Sequence, residues 1–432
     1  MVSYAVVDCD NCFVSCERVF RPDLKGRPVV VLSNNDGCVV ARSNEAKQLG
    51  VKMGMPFFKM KQEFPNAGIV AFSGNYELYG NITARVMSII SRSAPEFYRY
   101  SIDEAFVVFR NGEESDMKRW GERLSEQIAR CVGVPVSIGV APNKTLAKIA
   151  SHFAKHYPGY HHCCVIDSDE KREKALRLSK VDDVWGVGRR MSARLHSMGI
   201  ATAYDFATRQ KTWVNASFNV VALRTWQELN GEDVIPMEDS GRKKSICVSR
   251  SFPKLISDID TLRRYVSNYA ARCAESLRKQ STYAGTVGVF LSTNRFREDL
   301  DQYSNYAETQ LLTSTNATVD MVRIAEQTLM KIWRPGLFYK KAGVVVSSIV
   351  GTDGVQTNLV DYDADHFEKM TRLDRVVDQI NRVGGRQTVT LGAQHFSETY
   401  SDGKTVSLSD AVSHQYRSPS YTTRWSDIIE LK

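Results

Sequence analysis

The chain of 432 residues has no stretch of 18 or more apolar residues, so nothing in it reads as a membrane span. Its start, MVSYAVVDCD, lacks the basic segment and long apolar run of a secretion signal. A soluble, cytoplasmic protein with no membrane partner is expected. Cysteine is scarce and odd in number, nine in all. Cys9-x-x-Cys12 has no second pair, and the run His161-His162-Cys163-Cys164, with His152 and His156 nearby, lacks the spacing of a tetrahedral zinc site. Reduced thiols are expected rather than a disulfide framework or zinc. Strong charge of one sign is missing too, since the net charge is only +8. Its placement is uneven: residues 241–350 hold 17 Lys and Arg against 9 Asp and Glu, while the remainder is balanced at 40 of each. A basic segment in a neutral protein suits a module that tracks a polyanion.

At this length, with 43% hydrophobic residues, three or four packed domains are expected. From residue 241 the pattern predicts strand 245–252, helix 258–280, strands 283–293 and 307–313, helix 318–333 and strand 339–350. Leu262, Tyr265, Val266, Tyr269, Cys273 and Leu277 fall at helical spacing, and Val287, Val289 and Leu291 alternate as a half-buried strand does. That order is βαββαβ. The first 165 residues repeat it with an insert: strand 4–8, helix 75–93, strands 97–101 and 105–109, helix 116–130, strand 134–140. The insert, about 20–74, is punctuated by glycine and proline and predicts a small subdomain. A helical stretch spans 170–232, and EDSGRKK (238–244) reads as a linker. Beyond 350 the pattern predicts one amphipathic helix, on Phe367, Met370, Leu373, Val377 and Ile380, and a flexible end. The fold class is therefore α+β and multidomain.

Asp8 closes an apolar strand, and Asp103-Glu104 stands in YSIDEAF at the mouth of a predicted hairpin. In a ferredoxin-like sheet the first strand lies beside that hairpin, so the three carboxylates would approach one another. Such a cluster repels itself unless a cation is present, and hard oxygen ligands suit Mg²⁺. Two Mg²⁺ ions would support in-line phosphoryl transfer. Spacing alone leaves open that these are ordinary strand-end and hairpin acids.

The segment APNKTLAKIASHFAK predicts a helix capped by Asn143. Lys144, Lys148 and Lys155 fall within about 40° of one another around it, opposite a core stripe of Leu146, Ile149, Ala150 and Phe153. That row is placed to meet nucleotide phosphates or a DNA backbone, although a solvated helix face gives the same pattern. In VDDVWGVGRRMSARL, Gly186 and Gly188 precede Arg189 and Arg190 at a helix start. Open backbone amides, the helix dipole and two guanidiniums favour a phosphate, as in a helix-hairpin-helix.

Taken in chain order, these features resemble the Y-family DNA polymerases, and within them the UmuC-like group. RPDLKGRPVVVLSNNDGCVVAR, EAKQLGVKMG, NYELY, YSIDEAF, VDDVWGVGRR and SYTTRWSDII carry the likeness, from one end of the chain to the other. The resemblance implies an error-prone translesion polymerase of the bacterial SOS response. It implies a ferredoxin-like palm (1–19 and 75–165) with inserted fingers (20–74), a helical thumb with a helix-hairpin-helix (166–235) and a linker (236–244). A ferredoxin-like little finger (245–350) that grips DNA, with Arg250 among its contacts, would precede a tail (351–432) carrying clamp and partner segments. Asp8, Asp103 and Glu104 match the metal ligands, with the Cys9 carbonyl as a further ligand. Phe13 falls at the aromatic gate beneath the sugar, and Lys155 matches a triphosphate-contacting lysine. Asn44 and Lys47 stand where many relatives place Tyr and Arg over the triphosphate. Gln356 and Leu359 lie in a pentapeptide resembling a sliding-clamp motif, with Val360 where an aromatic is usual. Primer-template DNA, deoxynucleoside triphosphates, the sliding clamp, a processed UmuD-like dimer and a recombinase filament are the implied partners. A non-catalytic DNA-binding scaffold, or a nucleotidyl cyclase with a related palm, would use parts of the same set.

Overall fold

The computed structural model describes residues 2–110, 112–237, 243–352, 363–384, 388–394, 397–399, 405–407 and 414–429. Two compact units divide the chain: residues 1–239 with 414–432, and residues 240–413. Their boundary falls inside the polar run expected to be a linker.

In the first unit the apolar run at the start forms β1 (Val2–Cys9). It is followed by α1 (Cys12–Phe20), then by the insert: β2 (Val29–Leu32), β3 (Val39–Arg42), α2 (Asn44–Gln48), α3 (Phe57–Glu63) and β4 (Val70–Ser73). These three strands make their own sheet, in the order β3-β2-β4, over a small core that includes Val30, Leu32, Val39 and Val51. The chain then runs through α4 (Tyr76–Arg92), β5 (Glu96–Arg99), β6 (Glu104–Arg110), α5 (Met117–Val132), β7 (Val136–Ala141), α6 (Lys144–His156) and β8 (Cys163–Val165). The main sheet has the order β5-β6-β1-β7-β8, with β1 antiparallel to both β6 and β7. This is the expected βαββαβ arrangement plus β8, an added strand of three residues, too short to show a period.

Strand alternation sorts the two faces of this sheet. Ala5, Val7, Val107 and Phe109 pack in one core with α4 and α5 residues. Tyr4, Val6, Phe106 and Val108 pack in another with α6. Continuing the alternation, Asp8 and Glu104 emerge on the α6 face. Gly139 lets α6 come that close, because a Cβ there would lie 2.0 Å from the Ser151 amide nitrogen and 2.2 Å from the Ala147 carbonyl oxygen.

Helices α7 (Asp169–Leu178), α8 (Arg189–Ser197), α9 (Ala203–Ala207), α10 (Lys211–Ser217) and α11 (Val220–Leu229) follow. They are pinned to the start of α6 by the buried Glu228, whose carboxylate accepts from the Thr145 amide (2.8 Å), the Thr145 hydroxyl (2.6 Å) and the Ile235 amide (3.0 Å). Residues 414–429 return to this unit. Ser418 and Ser420 are buried, and Tyr421 stacks on Phe20 at 4.5 Å. The expectation of a flexible end is corrected over these residues. They are held by aromatic contacts and hydrogen bonds to distant main chain, which leave no periodic signature.

The second unit comprises β9 (Ile246–Ile256), α12 (Ile259–Lys279), β10 (Thr282–Thr293), β11 (Ser304–Thr315), α13 (Thr318–Met330), β12 (Tyr339–Gly351), α14 (Ala364–Val383) and a hairpin of β13 (Ser397–Thr399) and β14 (Thr405–Ser407). The chain order is βαββαβ as expected, but the sheet order is β11-β10-β12-β9. Its centre therefore holds the second and fourth strands, rather than the first and third as in the first unit. The strands richest in buried residues, with Val287, Val289 and Leu291 on β10 and Ala342, Val344 and Val346 on β12, occupy the centre. The more polar β9 and β11 take the edges. Arg278 fastens α14 to this unit by pairing with Asp378 (2.7 Å) and Asp374 (3.3 Å). Among the described residues no helix is long and apolar enough to cross a membrane.

Candidate active site

Asp8 and Glu104 are direct partners in the antiparallel register of β1 and β6. Like charges placed opposite one another destabilise a sheet unless they are countered. Here each has its own lysine from α6. Lys148 Nζ lies 2.7 Å from Glu104 Oε1, and Lys155 Nζ lies 2.9 Å from Asp8 Oδ2. These side chains, with Lys47, Ser151, His152, His156, Asp183 and Trp185, line a cavity of about 410 Å³.

Lys155 also reaches Asp10, at 3.5 Å. Burial alone would lower the Lys155 ammonium, but Asp8 and Asp10 more than reverse this and hold it above its ordinary value. Asp10 is pushed up by burial, against the opposing pull of Lys155 and of the Ser137 hydroxyl, which donates to both of its oxygens at 2.9 and 3.0 Å. The sequence reading missed Asp10, although it stands two residues beyond Asp8.

Asp103 does not join Asp8 and Glu104 at the cavity. It precedes β6, and its Oδ1 accepts from the Ser101 hydroxyl at 2.6 Å in the same turn. The Cys9 amide donates to the Asp103 carbonyl at 3.0 Å, which ties the two strand ends together. Among the described residues no three His, Cys, Asp or Glu side chains are drawn together closely enough to hold a metal ion. The chemistry of the donor set nevertheless fits a hard divalent cation. It offers carboxylate oxygens, partly exposed at Asp8 and Glu104, whose charge is met here by two lysine ammoniums. All nine cysteines are free, as expected.

Lys148 is caged by aromatic rings that the sequence reading did not single out. Its ammonium lies 4.5 Å from the centre of Tyr100, 5.5 Å from Trp185 and 5.8 Å from Phe106. The Trp185 indole donates to the Tyr100 hydroxyl at 3.2 Å, linking the glycine hairpin to the strand before Asp103. The tryptophan ahead of Gly186 was the available signal.

Lys144 corrects the expected lysine row. It is 2% exposed, bonded to Asp233 at 2.7 Å and set over the Tyr4 ring at 3.9 Å. It is an internal ion pair and not a DNA contact, because α11 and the segment after it cover the first turn of α6. By alternation with Ile246, Val248 and Phe252, Arg250 lies on the helix-bearing face of its sheet, half-buried near Tyr269. Gln356 and Leu359 lie outside the described residues.

Of the other expected residues, Lys47 lines the cavity, and Phe13, Asn44, Gly186, Gly188, Arg189 and Arg190 lie outside its lining. Phe13, in the first turn of α1, stacks on Tyr79 with centroids 4.6 Å apart and meets Tyr76 edge-on at 5.7 Å. Asn44 Oδ1 accepts from Asn11 (3.2 Å) and from Lys47 (3.1 Å), joining the insert to the turn after β1. Burial, then the nearby Lys155 and Arg42, lower the Lys47 ammonium. Gly186 has φ +92°, and a Cβ there would lie 2.5 Å from the Thr225 hydroxyl, so the turn requires glycine. Gly188 caps α8, which begins with the exposed Arg189 and Arg190.

The chain matches the model of the impB/mucB/samB family over residues 7–152 and that family's C-terminal domain over 243–359. Residues 371–431 match a domain of unknown function, DUF4113. The chain is 39% identical to Protein UmuC of Salmonella typhimurium, over 99% of this chain and 100% of that protein. It is 37% identical to Protein SamB of the same species, over 99% of each. Identity to DNA polymerase IV of Corynebacterium diphtheriae is 30%, over 74% of this chain and 71% of that protein. Among solved structures, a Y-family DNA polymerase chimera aligns with a TM-score of 0.65 and 23% identity, over 82% of this chain and all of that one. An insertion ternary complex of Dbh DNA polymerase aligns with a TM-score of 0.56 and 22% identity, over the same shares.

Proposed function

The chain belongs to the impB/mucB/samB family and is a UmuC-like, error-prone translesion DNA polymerase, and we propose that Asp8, Asp103 and Glu104 hold two Mg²⁺ ions for its nucleotidyl transfer. Its substrates are primer-template DNA and nucleotides, and its catalysis depends on divalent metal. The observation that carries the reading is the Asp8–Glu104 register pair, facing the α6 lysines across one cavity. When bound, the ions would lower the pKa of the primer hydroxyl and neutralise charge on the leaving pyrophosphate.

The chain's own residues do the rest. Asp8 and Glu104 supply carboxylate oxygens from adjacent strands, with Asp103 turning from Ser101 and the Cys9 carbonyl completing the set. Lys155 and Lys47 face the triphosphate, and Lys155 leaves Asp8 as it does so. Asn44 positions Lys47. The Phe13 ring lies under the sugar and meets a ribose 2′-hydroxyl. Gly186, Gly188, Arg189 and Arg190 take a DNA phosphate at the start of α8, and Trp185 couples that grip to Lys148. The enzyme acts in the cytoplasm, with the sliding clamp, a processed UmuD-like dimer and a recombinase filament as partners, and Gln356 and Leu359 belong to the clamp segment.

The test is primer extension across an abasic template, by the purified chain alone and then with those partners added. Template-dependent, Mg²⁺-dependent extension supports the reading. Its absence in every combination rejects it.

A further inference from the structure

A buried carboxylate that the chemistry does not use lies behind the Phe13 ring. Glu17 on α1 is fully buried, and its Oε1 accepts from the Tyr79 hydroxyl at 2.6 Å and from the Ser418 hydroxyl at 3.0 Å. Tyr79 is fully buried too, and its ring lies nearly parallel to that of Phe13, 16° apart. Burying a carboxyl is unfavourable unless its oxygens are partnered, and here the two hydroxyls converge on Oε1 while the buried Oε2 accepts no hydrogen bond among the described residues. Replacing Glu17 with an apolar residue would leave two hydroxyls without their acceptor, so the three side chains stand or fall together.

Ser418 belongs to a strap that returns from the far end of the chain. The strap bridges the insert and α4. The Ser73 amide donates to the Tyr416 carbonyl (3.0 Å), the Tyr416 amide to the Ser73 hydroxyl (2.9 Å) and the Asn75 side chain to the Ser418 hydroxyl (3.1 Å). Ser73 ends β4, an edge strand of the insert's sheet, which the strap extends by a parallel bridge at Arg417. Tyr416 packs against Phe57 on one side of Ser418, and Tyr421 stacks on Phe20 on the other.

We propose that the strap, residues 414–429, sets the position of the Phe13 ring through Ser418, Glu17 and Tyr79, so that these three are positioning residues for discrimination between deoxyribose and ribose. This rests on the reading of Phe13 as the sugar gate. The ring can reject a 2′-hydroxyl only if it does not slide away. Its stacking partner is held at the hydroxyl end by a carboxylate that is itself held by the strap. The strap thereby gives part of the domain of unknown function a task at the nucleotide site.

Single-nucleotide insertion by the full chain tests this, with deoxyribo- and ribonucleotides, for wild type, Phe13→Ala, Tyr79→Phe, Ser418→Ala and Ser418→Thr. Tyr79→Phe keeps the stack and removes the anchor. It and Ser418→Ala should each lower the deoxyribo-to-ribo ratio of kcat/KM by about three- to tenfold, mostly through a lower KM for the ribonucleotide. Ser418→Thr, which keeps the hydroxyl, should restore the ratio. If Phe13→Ala changes the ratio but Tyr79→Phe and Ser418→Ala do not, the positioning role is wrong and the gate stands. If Phe13→Ala leaves the ratio unchanged, the gate and the positioning role fall together.

Discussion

Asp8 and Glu104 face each other across two adjacent antiparallel strands, and each is neutralised by a different lysine of the same helix. The pair is a switchable charge cluster. On the proposed reading, divalent cations would take over the charge balance that the two ammoniums provide here, and Lys155 would then be free to meet a substrate's phosphates. Removing one lysine should therefore make the protein depend more on metal. Lys148→Met should cost about 1 kcal/mol in metal-free buffer, since the pair is only partly buried. Added Mg²⁺ should then raise the melting temperature of the variant more than that of wild type. Equal Mg²⁺ shifts in thermal denaturation would refute the exchange.

Lys144 and the hairpin arginines should behave oppositely, although all were read as DNA contacts in the sequence. Lys144→Ala breaks an internal pair with Asp233, whose side chain is 35% exposed. It should lower stability in urea unfolding by about 2 kcal/mol, less than a fully buried pair would lose, and leave the salt dependence of DNA binding unaltered. Arg190→Ala should leave stability nearly unchanged and reduce the slope of log affinity against log salt by about 1. The reverse pattern would show that the two roles have been exchanged.

Gly186 and Gly188 separate in the same way. Gly186→Ala meets both the positive φ and the Thr225 hydroxyl, and should destabilise by about 1–2 kcal/mol and weaken DNA binding. Gly188→Ala finds open space and an ordinary backbone, so it should lose only glycine's advantage over alanine at the N-cap of α8, about 0.5–1 kcal/mol, with no clash. Parallel urea titrations and DNA-binding isotherms decide this.

The Glu17 carboxyl is pushed up to about 7 by burial, against the opposing hydrogen bonds from Tyr79 and Ser418 and the nearby Arg21. Cys16 and Tyr421 also face it. Between its ordinary value of 4.5 and about 7, the folded chain keeps a proton that the unfolded chain has released. Stability from this site is therefore greatest at the acid end of that window and falls as the pH rises through it. The drop in urea midpoint from about pH 5.5 to about pH 8 should be smaller in Glu17→Gln than in wild type. Equal drops would place the titrating group elsewhere.

The sheet skeleton was legible because it rests on local periodicity. The Val287-Val289-Leu291 alternation and the α12 stripe both fold as their spacing predicts. The Asp8–Glu104 approach was legible for the same reason, as a consequence of placing the first strand beside the hairpin. Long-range contacts were not. Whether a lysine on a helix face meets solvent or Asp233 depends on a segment some ninety residues later. Glu17 reads as one more charge on a helix until Ser418, about four hundred residues away, is seen beside it.

Glu104→Gln keeps the shape of the side chain and removes its charge, and so bears most directly on the metal-dependent chemistry. In Mg²⁺-dependent primer extension over an abasic template, under conditions where the wild-type chain extends, the variant should lose at least about a hundredfold in rate, while its affinity for primer-template DNA stays nearly the same. Undiminished extension by Glu104→Gln would contradict the assignment of Asp8, Asp103 and Glu104 as the carboxylates that carry nucleotidyl transfer.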